Sequence, residues 1–384
     1  MTTVSRFSTF DELPIAAKSL FEAAETKSFF LGLPWFQTFV KYALDPGDEI
    51  RIYDVNAAAK PHEARIILPV LHRISGDGVF CARRLSSLSS YYTSLFSPVG
   101  NGMTDKSVMG ALAKTLAGDS PSWDIIELRP LAVDELSFSS FVSGLRAAGF
   151  VVQTFFCFGN WYLEVQGRSF DQYLDDLPST LRNTLARKKK KLEKSGRARL
   201  EIVTGSDGLE SAIEGYNKVY LASWKRPEPY PLFVPALIRE CAARGALRLG
   251  ILTVDGEPAA AQFWIVQNGK ALIYKLAYDE RFADLSVGTI LTAALMQHAI
   301  DVDHVREIDY LTGDDSYKKH WMSARRERWG ILAMNPRTLR GSAAIARHVG
   351  GRAAKRLVKS MTSWCRPTVS RRTPEPKLDP QIQG

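Results

Sequence analysis

The order of the predicted secondary-structure elements repeats along this chain of 384 residues. In each half, helices are followed by short alternating strands, then by a helix of 3.6-residue period, and then by one further strand. The last strands have similar patterns, WDIIELRP at residues 123–130 and REIDYLTG at residues 306–313. This order predicts a diverged duplication, in which each half forms a mixed, mostly antiparallel sheet flanked by helices.

The length fits two domains of ordinary size and a shorter additional segment. We place an N-terminal half at residues 1–165, a C-terminal half at 166–335 and a basic helical tail at 336–384. A hydrophobic content of 45% is that of a globular protein with a substantial core. The expected fold class is therefore α/β (α+β), with two tandem domains and the tail.

The C-terminal half contains the clearest strand signals. Residues 246–279 predict a three-strand meander, ALRLGILTVDG, EPAAAQFWIVQNG and KALIYKLAYD, with short polar turns at DGE and NGK. Asn-Gly between two apolar runs is a strong hairpin signal. A helix over 206–224, opened by a capping Ser or Asp, precedes the meander, and a helix over 287–302 follows it.

The net charge of +9 is concentrated at the C-terminal end. Residues 337–384 contain eleven Lys and Arg residues against Glu375 and Asp379, so the preceding residues are neutral overall. Apolar residues interrupt this basic tail. The pattern predicts either a cationic amphipathic helix on an anionic membrane surface or a packing helix followed by a disordered end.

A second cationic segment joins the two halves. Residues 182–199 contain nine Lys and Arg residues and one acid. Leu181, Leu185 and Leu192 recur at helical spacing, which predicts a helix that ends at Gly196 and has a cationic outer face. That face is either simply solvated or in contact with a phosphate-bearing ligand.

Several functional classes lack the motifs that they need. The chain has no GxxxxGK[ST] motif for nucleotide hydrolysis, and its His and Cys residues show no metal-ligand spacing, so no metal is expected. No apolar run reaches the roughly 18 residues that cross a bilayer, and the first residues lack the apolar segment of a signal peptide. We therefore expect a cytoplasmic protein, with peripheral contact at the inner membrane surface through the tail as an option.

The sequence YDERFADLSVGTILTAAL places the start of a helix shortly after a strand. The N–H groups in the first turn of a helix have no partner inside it, and the helix dipole favours an anion there. Gly288 would let a pyrophosphate approach the backbone closely, and Thr289 would add a hydroxyl. This segment therefore predicts an anion site.

These features, in this order, resemble the GNAT acyltransferase superfamily, and more closely its FemAB-like, CelD-type branch with two GNAT-like halves in one chain. The resemblance depends on the basic helix LRNTLARKKKKLEKSG, ASW at 222–224, the meander ending IYKLAYDERF, SVGTILTAAL and IDYLTGDDSYKKHW. It covers residues 25–335 and leaves out the tail. It implies transfer of an acyl group from a thioester.

The resemblance also implies a co-substrate. In GNAT enzymes the pyrophosphate of coenzyme A lies on the loop-to-helix amides after the fourth strand, which correspond here to Ser286, Val287, Gly288 and Thr289. The usual Q/R-x-x-G-x-G/A signature is reduced to LSVGT in this chain. FemAB-type relatives use aminoacyl-tRNA instead, and the basic helix would also suit a tRNA.

The segment LTGDDSYKKHW follows the last strand, at a position where an α/β protein usually carries its chemistry. Asp309 on that strand is a candidate base facing the cleft, or else the partner of Lys275 in a salt bridge. Tyr317 lies where the resemblance places a general acid. The alternative is that Tyr317 and Trp321 only anchor a short helix in the core.

Residues around this strand end are also candidates for binding the acceptor. They are Trp224, Lys275, Tyr278, Asp314 and Lys318. Lys275 and Tyr278 lie on the strand that leads to the anion site, and Lys318 would meet a phosphate or a carboxylate. Asp314 and Asp315 are further expected to cap the short helix that follows them.

The sequence thus predicts an acyltransferase that uses acyl-coenzyme A, such as acetyl-coenzyme A. The acceptor is an amine or hydroxyl on a small molecule, a saccharide or an envelope precursor, and this class follows from the CelD-type resemblance alone. The N-terminal half is expected to be non-catalytic because it lacks a helix-start glycine of this kind. The alternatives are a FemAB-like aminoacyl-tRNA-dependent ligase and a non-catalytic module that binds an anionic polymer or a membrane.

Overall fold

A computed structural model describes residues 2–57, 64–75 and 82–348. Residues 339–348 are helical, at the position where the predicted tail begins. The greater part of that tail, residues 349–384, lies outside the described residues.

Strands and helices alternate along the chain. Up to residue 164 they are β1 (Thr2–Phe7), α1 (Ile15–Glu25), α2 (Leu33–Tyr42), β2 (Glu49–Ala57), β3 (Arg65–Ser75), β4 (Ala82–Ser87), β5 (Val99–Gly100), α3 (Lys106–Gly118), β6 (Ile125–Ala132), α4 (Leu136–Ala147) and β7 (Val151–Glu164). The elements that follow are α5 (Phe170–Asp176), α6 (Ser179–Ser195), β8 (Ala198–Val203), α7 (Leu209–Leu221), α8 (Phe233–Ala243), β9 (Leu247–Val254), β10 (Glu257–Gln267), β11 (Lys270–Tyr278), α9 (Val287–Gln297), β12 (Glu307–Asp309) and β13 (Ala324–Met334). Short 3-10 helices cover Phe29–Leu31, Glu280–Leu285 and Ser316–His320, and His298–Val302 is a π-helical turn.

The chain divides into two compact units. Among the described residues, unit 1 comprises 2–36, 45–157 and 327–348, and unit 2 comprises 37–44 and 158–326. The chain passes from one unit to the other within α2, β7 and β13.

Both units have the same internal strand order. In unit 1, β1 to β4 pair antiparallel in sequence, β4 pairs parallel with β6, and β6 pairs antiparallel with β13. In unit 2, β8 to β11 pair antiparallel in sequence, β11 pairs parallel with β12, and β12 pairs antiparallel with β7. A helix lies between the two parallel strands of each unit, α3 in unit 1 and α9 in unit 2. The predicted duplication and the correspondence of residues 123–130 with 306–313 are therefore confirmed.

The two hairpins predicted in unit 2 are present. Asp255 and Gly256 join β9 to β10 with φ of 52° and 82°, and Asn268 and Gly269 join β10 to β11 with φ of 53° and 73°. Positive φ at both central residues is the geometry of the two-residue turn that matches the twist of the flanking strands. These turns fix the register of the meander.

The ends of α6 and α7 show where sequence signals succeed and fail. Helix α6 ends at Gly196, as predicted, with φ of 63°, and Leu185 and Leu192 are buried. Helix α7 begins after Gly208, and no side chain caps it. The predicted Ser or Asp cap is therefore wrong, because the chain enters α7 through a left-handed glycine.

Helices α7 and α9 cover opposite faces of the unit 2 sheet. On β9, a Cβ at Gly250 would lie 2.9 Å from Leu291 and Leu295 of α9, whereas Ile251 lies against Gly215 of α7. Successive residues of a strand point to opposite faces, so the two helices cannot share one face. The missing side chain at Gly250 allows α9 to approach the sheet closely.

Candidate active site

The candidate site lies in unit 2, where strands β11 and β12 part. The two parallel strands pair only between Lys270–Leu272 and Glu307–Asp309, and beyond these residues β11 continues to Tyr278 while β12 ends. The register of β10 and β11 also shifts at Tyr274, and such a bulge bends a strand. The two strands therefore diverge toward their carboxyl ends, where α/β proteins usually bind ligands.

A cavity of about 200 Å³ opens at this divergence. Its lining comes from α6, the loop after α7, β10, β11, α9 and the segment after β12. The residues are Thr180, Leu181, Thr184, Trp224, Gln262, Leu276, Ala277, Tyr278, Gly288, Thr289, Thr292, Tyr310, Tyr317, His320 and Trp321.

The first turn of α9 borders this cavity. Ser286 precedes the helix with φ of 56°, and no side chain caps the helix start. Gly288 and Thr289 line the cavity, whereas the Val287 side chain is fully buried in the core and can contribute only its backbone. The unpaired amides and the positive end of the helix dipole therefore lie next to an open space, as an anion site requires.

Gly288 has a packing role that the sequence did not indicate. A Cβ at this position would lie 3.1 Å from Cδ1 of Tyr278. The Tyr278 ring in turn contacts the Trp224 ring, with centroids 4.7 Å apart. The glycine therefore allows the tyrosine to lie against the first turn of α9 and to form a wall of the cavity.

Gln262 on β10 fixes the same helix turn, and sequence reasoning missed it. Its Nε2 donates to the carbonyl oxygen of Gly288 at 3.1 Å and to Oγ1 of Thr292 at 2.7 Å. Its Oε1 accepts from Nε1 of Trp264 at 2.9 Å. A glutamine within the apolar run AAAQFWIV was the available signal, because a buried amide needs hydrogen-bond partners.

The equivalent helix of unit 1 is closed to an anion. Asp105 caps α3, and its Oδ1 accepts from the N–H of Ser107 at 2.8 Å and from that of Val108 at 3.3 Å. A carboxylate of the chain itself thus occupies the position that an external anion would take. This contrast gives a physical reason for expecting the N-terminal half to be non-catalytic.

Tyr317 lines the cavity from the 3-10 helix that follows β12. Its ring meets the Tyr310 ring edge-on, with centroids 5.7 Å apart. Burial holds the pKa of Tyr310 well above its ordinary value, so Tyr310 remains protonated, and it forms a hydrogen bond with Thr292. Trp321 also lines the cavity and is buried, as its predicted inward packing requires.

His320 is a second titratable group in the cavity lining that sequence reasoning missed. Burial lowers the pKa of its imidazole below the ordinary value, and the charge of Lys319 adds to this effect. Its ring is therefore neutral near pH 7 and can accept a proton. Its position in the run KKHW gave no sign that it faces the cavity while the lysines do not.

Asp309 lies outside the cavity lining, and its carboxylate is fully engaged. Oδ1 accepts from Nδ2 of Asn160 at 2.5 Å and from the N–H of Leu311 at 2.6 Å. Oδ2 pairs with Nη2 of Arg326, which also binds Glu307 at 2.8 Å. The expected salt bridge between Asp309 and Lys275 is therefore wrong, because Arg326, near the start of β13, pairs with the Asp309 carboxylate, whereas Lys275 pairs with Glu228.

This network makes a prediction about stability. Replacing Arg326 with methionine should lower the free energy of unfolding by about 3 kcal/mol, because it leaves the buried Asp309 carboxylate without its cation. Chemical denaturation measures the change. Arg325→Met is the matched control, since Arg325 pairs with the exposed Asp314 and should cost less than about 1 kcal/mol. Equal losses in both variants would contradict a special role for Arg326.

Asp314 and Lys318 hold the turn after β12 and lie outside the cavity lining. Asp314 accepts from Nε1 of Trp161 at 2.7 Å and pairs with Arg325, which lowers the pKa of the carboxyl. Lys318 is buried, donates to the carbonyl oxygen of Thr312 at 2.6 Å and pairs with Asp315 at 3.0 Å. No side chain caps the 3-10 helix, so the predicted capping by Asp314 or Asp315 is wrong: both carboxylates are used in ion pairs.

The other predicted acceptor residues separate into two groups. Trp224 and Tyr278 line the cavity together. Lys275 lies outside the lining, and its Nζ pairs with Oε1 of Glu228 at 2.6 Å. The structure thus brings Trp224, Tyr278 and Tyr317 into one cavity and leaves Lys275 beside it.

Helix α6 contributes to the site with its inner edge. Thr180, Leu181 and Thr184 line the cavity, while Lys190 and Lys191 lie exposed on the cationic outer face. Nζ of Lys188 donates to the carbonyl oxygen of Asp284, shortly before α9 begins. A cation of the basic helix therefore lies close to the candidate anion site.

Over residues 2–57, 64–75 and 82–348, no group of His, Cys, Asp and Glu side chains is arranged to hold a metal ion. In the same ranges, no helix combines the length and apolar character needed to cross a membrane.

Comparison with known proteins supports a family for this site. Residues 179–319 match the family model of the acetyltransferase (GNAT) domain. This range includes α6, the meander, α9 and Tyr317. No curated protein matches the chain.

Solved structures show where the fold occurs. FemX is 10% identical, with a TM-score of 0.56 over 86% of this chain and 96% of that chain. A conserved protein of unknown function from Bacteroides thetaiotaomicron is 11% identical, with a TM-score of 0.53 over 87% and 100% of the two chains. A tandem GNAT protein from the clavulanic acid biosynthesis pathway is 10% identical, with a TM-score of 0.48 over 88% and 100%. The expected fold class is confirmed, and the family-model match over residues 179–319 supports the resemblance to the GNAT superfamily.

Proposed function

We propose that this chain is an acyltransferase that uses acyl-coenzyme A, such as acetyl-coenzyme A, to acylate an amine or a hydroxyl, because residues 179–319 match the family model of the acetyltransferase (GNAT) domain. The observation that carries the proposal is the uncapped first turn of α9, which borders the same cavity as Tyr317 and His320. An anion-binding element and two groups that can exchange protons are thus close to one another.

The start of α9 fits the pyrophosphate of coenzyme A. The first-turn amides from Val287 to Thr289 have no side-chain cap, and Ser286 before them is buried. Lys188 adds a positive charge near this loop, at the carbonyl of Asp284. Amides, helix dipole and cation together are the usual composition of a phosphate site without a P-loop.

The cavity residues account for the proton transfers of acyl transfer. The acceptor nitrogen or oxygen attacks the thioester carbonyl carbon, and His320 takes the proton that the acceptor loses. The C–S bond then breaks, the acyl group remains on the acceptor, and Tyr317 donates its hydroxyl proton to the departing thiolate. His320 returns its proton to Tyr317 through solvent. The oxyanion donors are N–H groups on the edge of β11 beyond Leu272, where β12 no longer pairs.

We place a saccharide or a cell-envelope precursor at the acceptor side. Trp224 is 40% exposed and contacts Tyr278 at the cavity, so the two rings offer flat apolar surfaces with polar edges. Such surfaces suit the faces of a sugar ring. We further propose that the protein acts in the cytoplasm, with the basic tail predicted at residues 336–384 contacting the inner membrane surface.

Calorimetry with acetyl-coenzyme A and with coenzyme A tests the donor. Both should bind, and both should raise the melting temperature by mass action. Incubation with acetyl-coenzyme A and a panel of amino sugars and amines then identifies acetylated products by mass spectrometry. If neither acetyl-coenzyme A nor coenzyme A binds, the proposed donor is wrong.

The exposed cationic face of α6 supports a second candidate, an aminoacyl-tRNA-dependent ligase. Lys190 and Lys191 are exposed on this helix, and nothing in the cavity chemistry uses them. Binding of charged tRNA should then weaken steeply with salt, because phosphate contacts release counterions. Tight tRNA binding without any coenzyme A binding would favour this candidate over the first.

The pH dependence of the reaction tests His320 as the base. Because burial lowers its pKa, the acid limb of kcat/KM should have its midpoint below the ordinary value of 6.5. Activity should fall about tenfold per pH unit below that midpoint, where the imidazole is protonated. His320→Gln should remove this limb while leaving coenzyme A binding intact. An unchanged limb in that variant would exclude His320 as the base.

A further inference from the structure

Three lysines from different parts of unit 2 lie together beside the cavity. Lys225 follows Trp224 in the loop after α7, Lys275 lies on β11, and Lys318 lies in the 3-10 helix after β12. Lys225 is within electrostatic range of both other lysines and of their carboxylate partners, Glu228 and Asp315. We refer to these five residues as the lysine cluster.

The charges of the lysine cluster do not cancel. Nζ of Lys275 pairs with Glu228 at 2.6 Å, and Nζ of Lys318 pairs with Asp315 at 3.0 Å. Across the described residues, no carboxylate lies within ion-pair distance of Nζ of Lys225, which instead lies 5.7 Å from the centroid of the Trp224 ring. The cluster therefore holds one uncompensated positive charge.

This charge is maintained against an unfavourable environment. Burial lowers the pKa of Lys225 to about 8, and the charge of Lys275 contributes to the same shift. A partly buried ammonium without a counter-ion is destabilised relative to one in water. A bound anion would offset this penalty, which makes anion binding at Lys225 more favourable.

The lysine cluster is separate from the anion site at α9. In the β10–β11 register, Lys275 is opposite Phe263, whereas Leu276 is opposite Gln262. Gln262 contacts α9, so Lys275 points to the other face of the sheet, which α7 covers. Lys275 and the first turn of α9 therefore lie on opposite faces of the sheet.

We propose that Lys225 binds an anionic group, a carboxylate or a phosphate, carried by the acceptor. This inference rests on the proposed acyltransferase function, because it concerns the acceptor of that reaction. Trp224 lines the cavity next to Lys225, and Lys318 directly follows Tyr317. An anion held by Lys225 would thus place the rest of the acceptor beside Tyr317.

The first test does not require catalysis. NMR titration of the Lys225 side chain would compare chloride, acetate and inorganic phosphate at matched ionic strength in the full chain. The anion that resembles the acceptor group should raise the pKa of Lys225 by about one unit, with saturation, because it stabilises the charged form. Separate titrations with acetate and with phosphate show whether Lys225 prefers a carboxylate or a phosphate. The proposal would be overturned if neither anion changed the pKa of Lys225, or if the pKa changed only with the salt concentration and did not saturate.

The second test measures specificity. With acetyl-coenzyme A as donor, glucosamine would be compared with glucosamine 6-phosphate, and alaninamide with alanine. Lys225→Met should lower kcat/KM for the anionic member of the preferred pair about tenfold or more and leave the neutral member unchanged. Lys218→Met, which removes an exposed charge on α7, is the matched control and should change neither.

The two hypotheses can fail separately. If acetyl-coenzyme A does not bind, the proposed donor is wrong, whereas the response of Lys225 to acetate and phosphate is still measured. If acetyl-coenzyme A binds and Lys225 responds to neither anion, only the acceptor inference is wrong.

Discussion

Replacing Gly288 with glutamate is expected to weaken coenzyme A binding about a thousandfold, or by ~4 kcal/mol. Two effects combine in this variant. A Cβ at position 288 would already lie 3.1 Å from Cδ1 of Tyr278, so a longer side chain must displace the ring or enter the cavity. Its carboxylate would also lie at the positive end of the α9 dipole and repel phosphate. Calorimetry with coenzyme A measures the loss directly.

The matched control is Gly110→Glu in α3 of unit 1. Gly110 is also a helical glycine, but a Cβ there would meet nothing within 4 Å. This variant should bind coenzyme A as the unaltered protein does. Denaturation curves of both variants check that folding is retained. Wild-type affinity in Gly288→Glu would show that the first turn of α9 is not the phosphate site.

The duplicated fold explains why one helix start is available and the other is not. Both α3 and α9 connect a parallel strand pair, so both present unpaired amides at the same topological position. In unit 1 Asp105 satisfies these amides from within the chain, whereas in unit 2 Ser286 adopts a left-handed conformation and does not cap. The residue that precedes the helix therefore decides whether the helix start is capped, as in unit 1, or open to an anion, as in unit 2.

Local signals in the sequence predicted the elements that depend on nearby residues. Asn268-Gly269 predicted the hairpin because the required φ values suit those two residues in any fold. The pattern SVGT predicted the start of α9, and the observed helix begins at Val287. The end of α6 at Gly196 was predictable for the same reason. Each of these features depends on backbone preferences within a few residues.

Partners from distant parts of the chain were not predictable. The assignment of Asp309 to Arg326 instead of Lys275 depends on which side chain reaches the carboxylate after the sheet has formed. His320 faces the cavity because it lies in a 3-10 helix, whose period differs from that of an α-helix. If the chain were rotated by one residue, Lys319 would face the cavity in place of His320. Such outcomes are set by tertiary packing, which a single sequence does not display.

Replacing Tyr317 with phenylalanine is expected to lower kcat about a thousandfold, or by ~4 kcal/mol, with little change in coenzyme A affinity. The variant removes only the hydroxyl, so the ring can keep its edge-on contact with Tyr310 at 5.7 Å. If Tyr317 protonates the departing thiolate, its loss raises the barrier for breaking the C–S bond and leaves donor binding unaffected. Steady-state kinetics and calorimetry on the same preparation separate the two quantities.

The alternative role for Tyr317, anchoring of the 3-10 helix, makes the opposite prediction. In that case Tyr317→Phe would keep nearly all of its activity, because the partly buried ring provides the anchor, and kcat would stay within about twofold of the unaltered protein. Tyr91→Phe, which removes an exposed hydroxyl in unit 1, is the control for non-specific effects of this substitution. A loss of kcat in Tyr317→Phe that Tyr91→Phe does not share, without a change in melting temperature, would identify the hydroxyl as part of the chemistry.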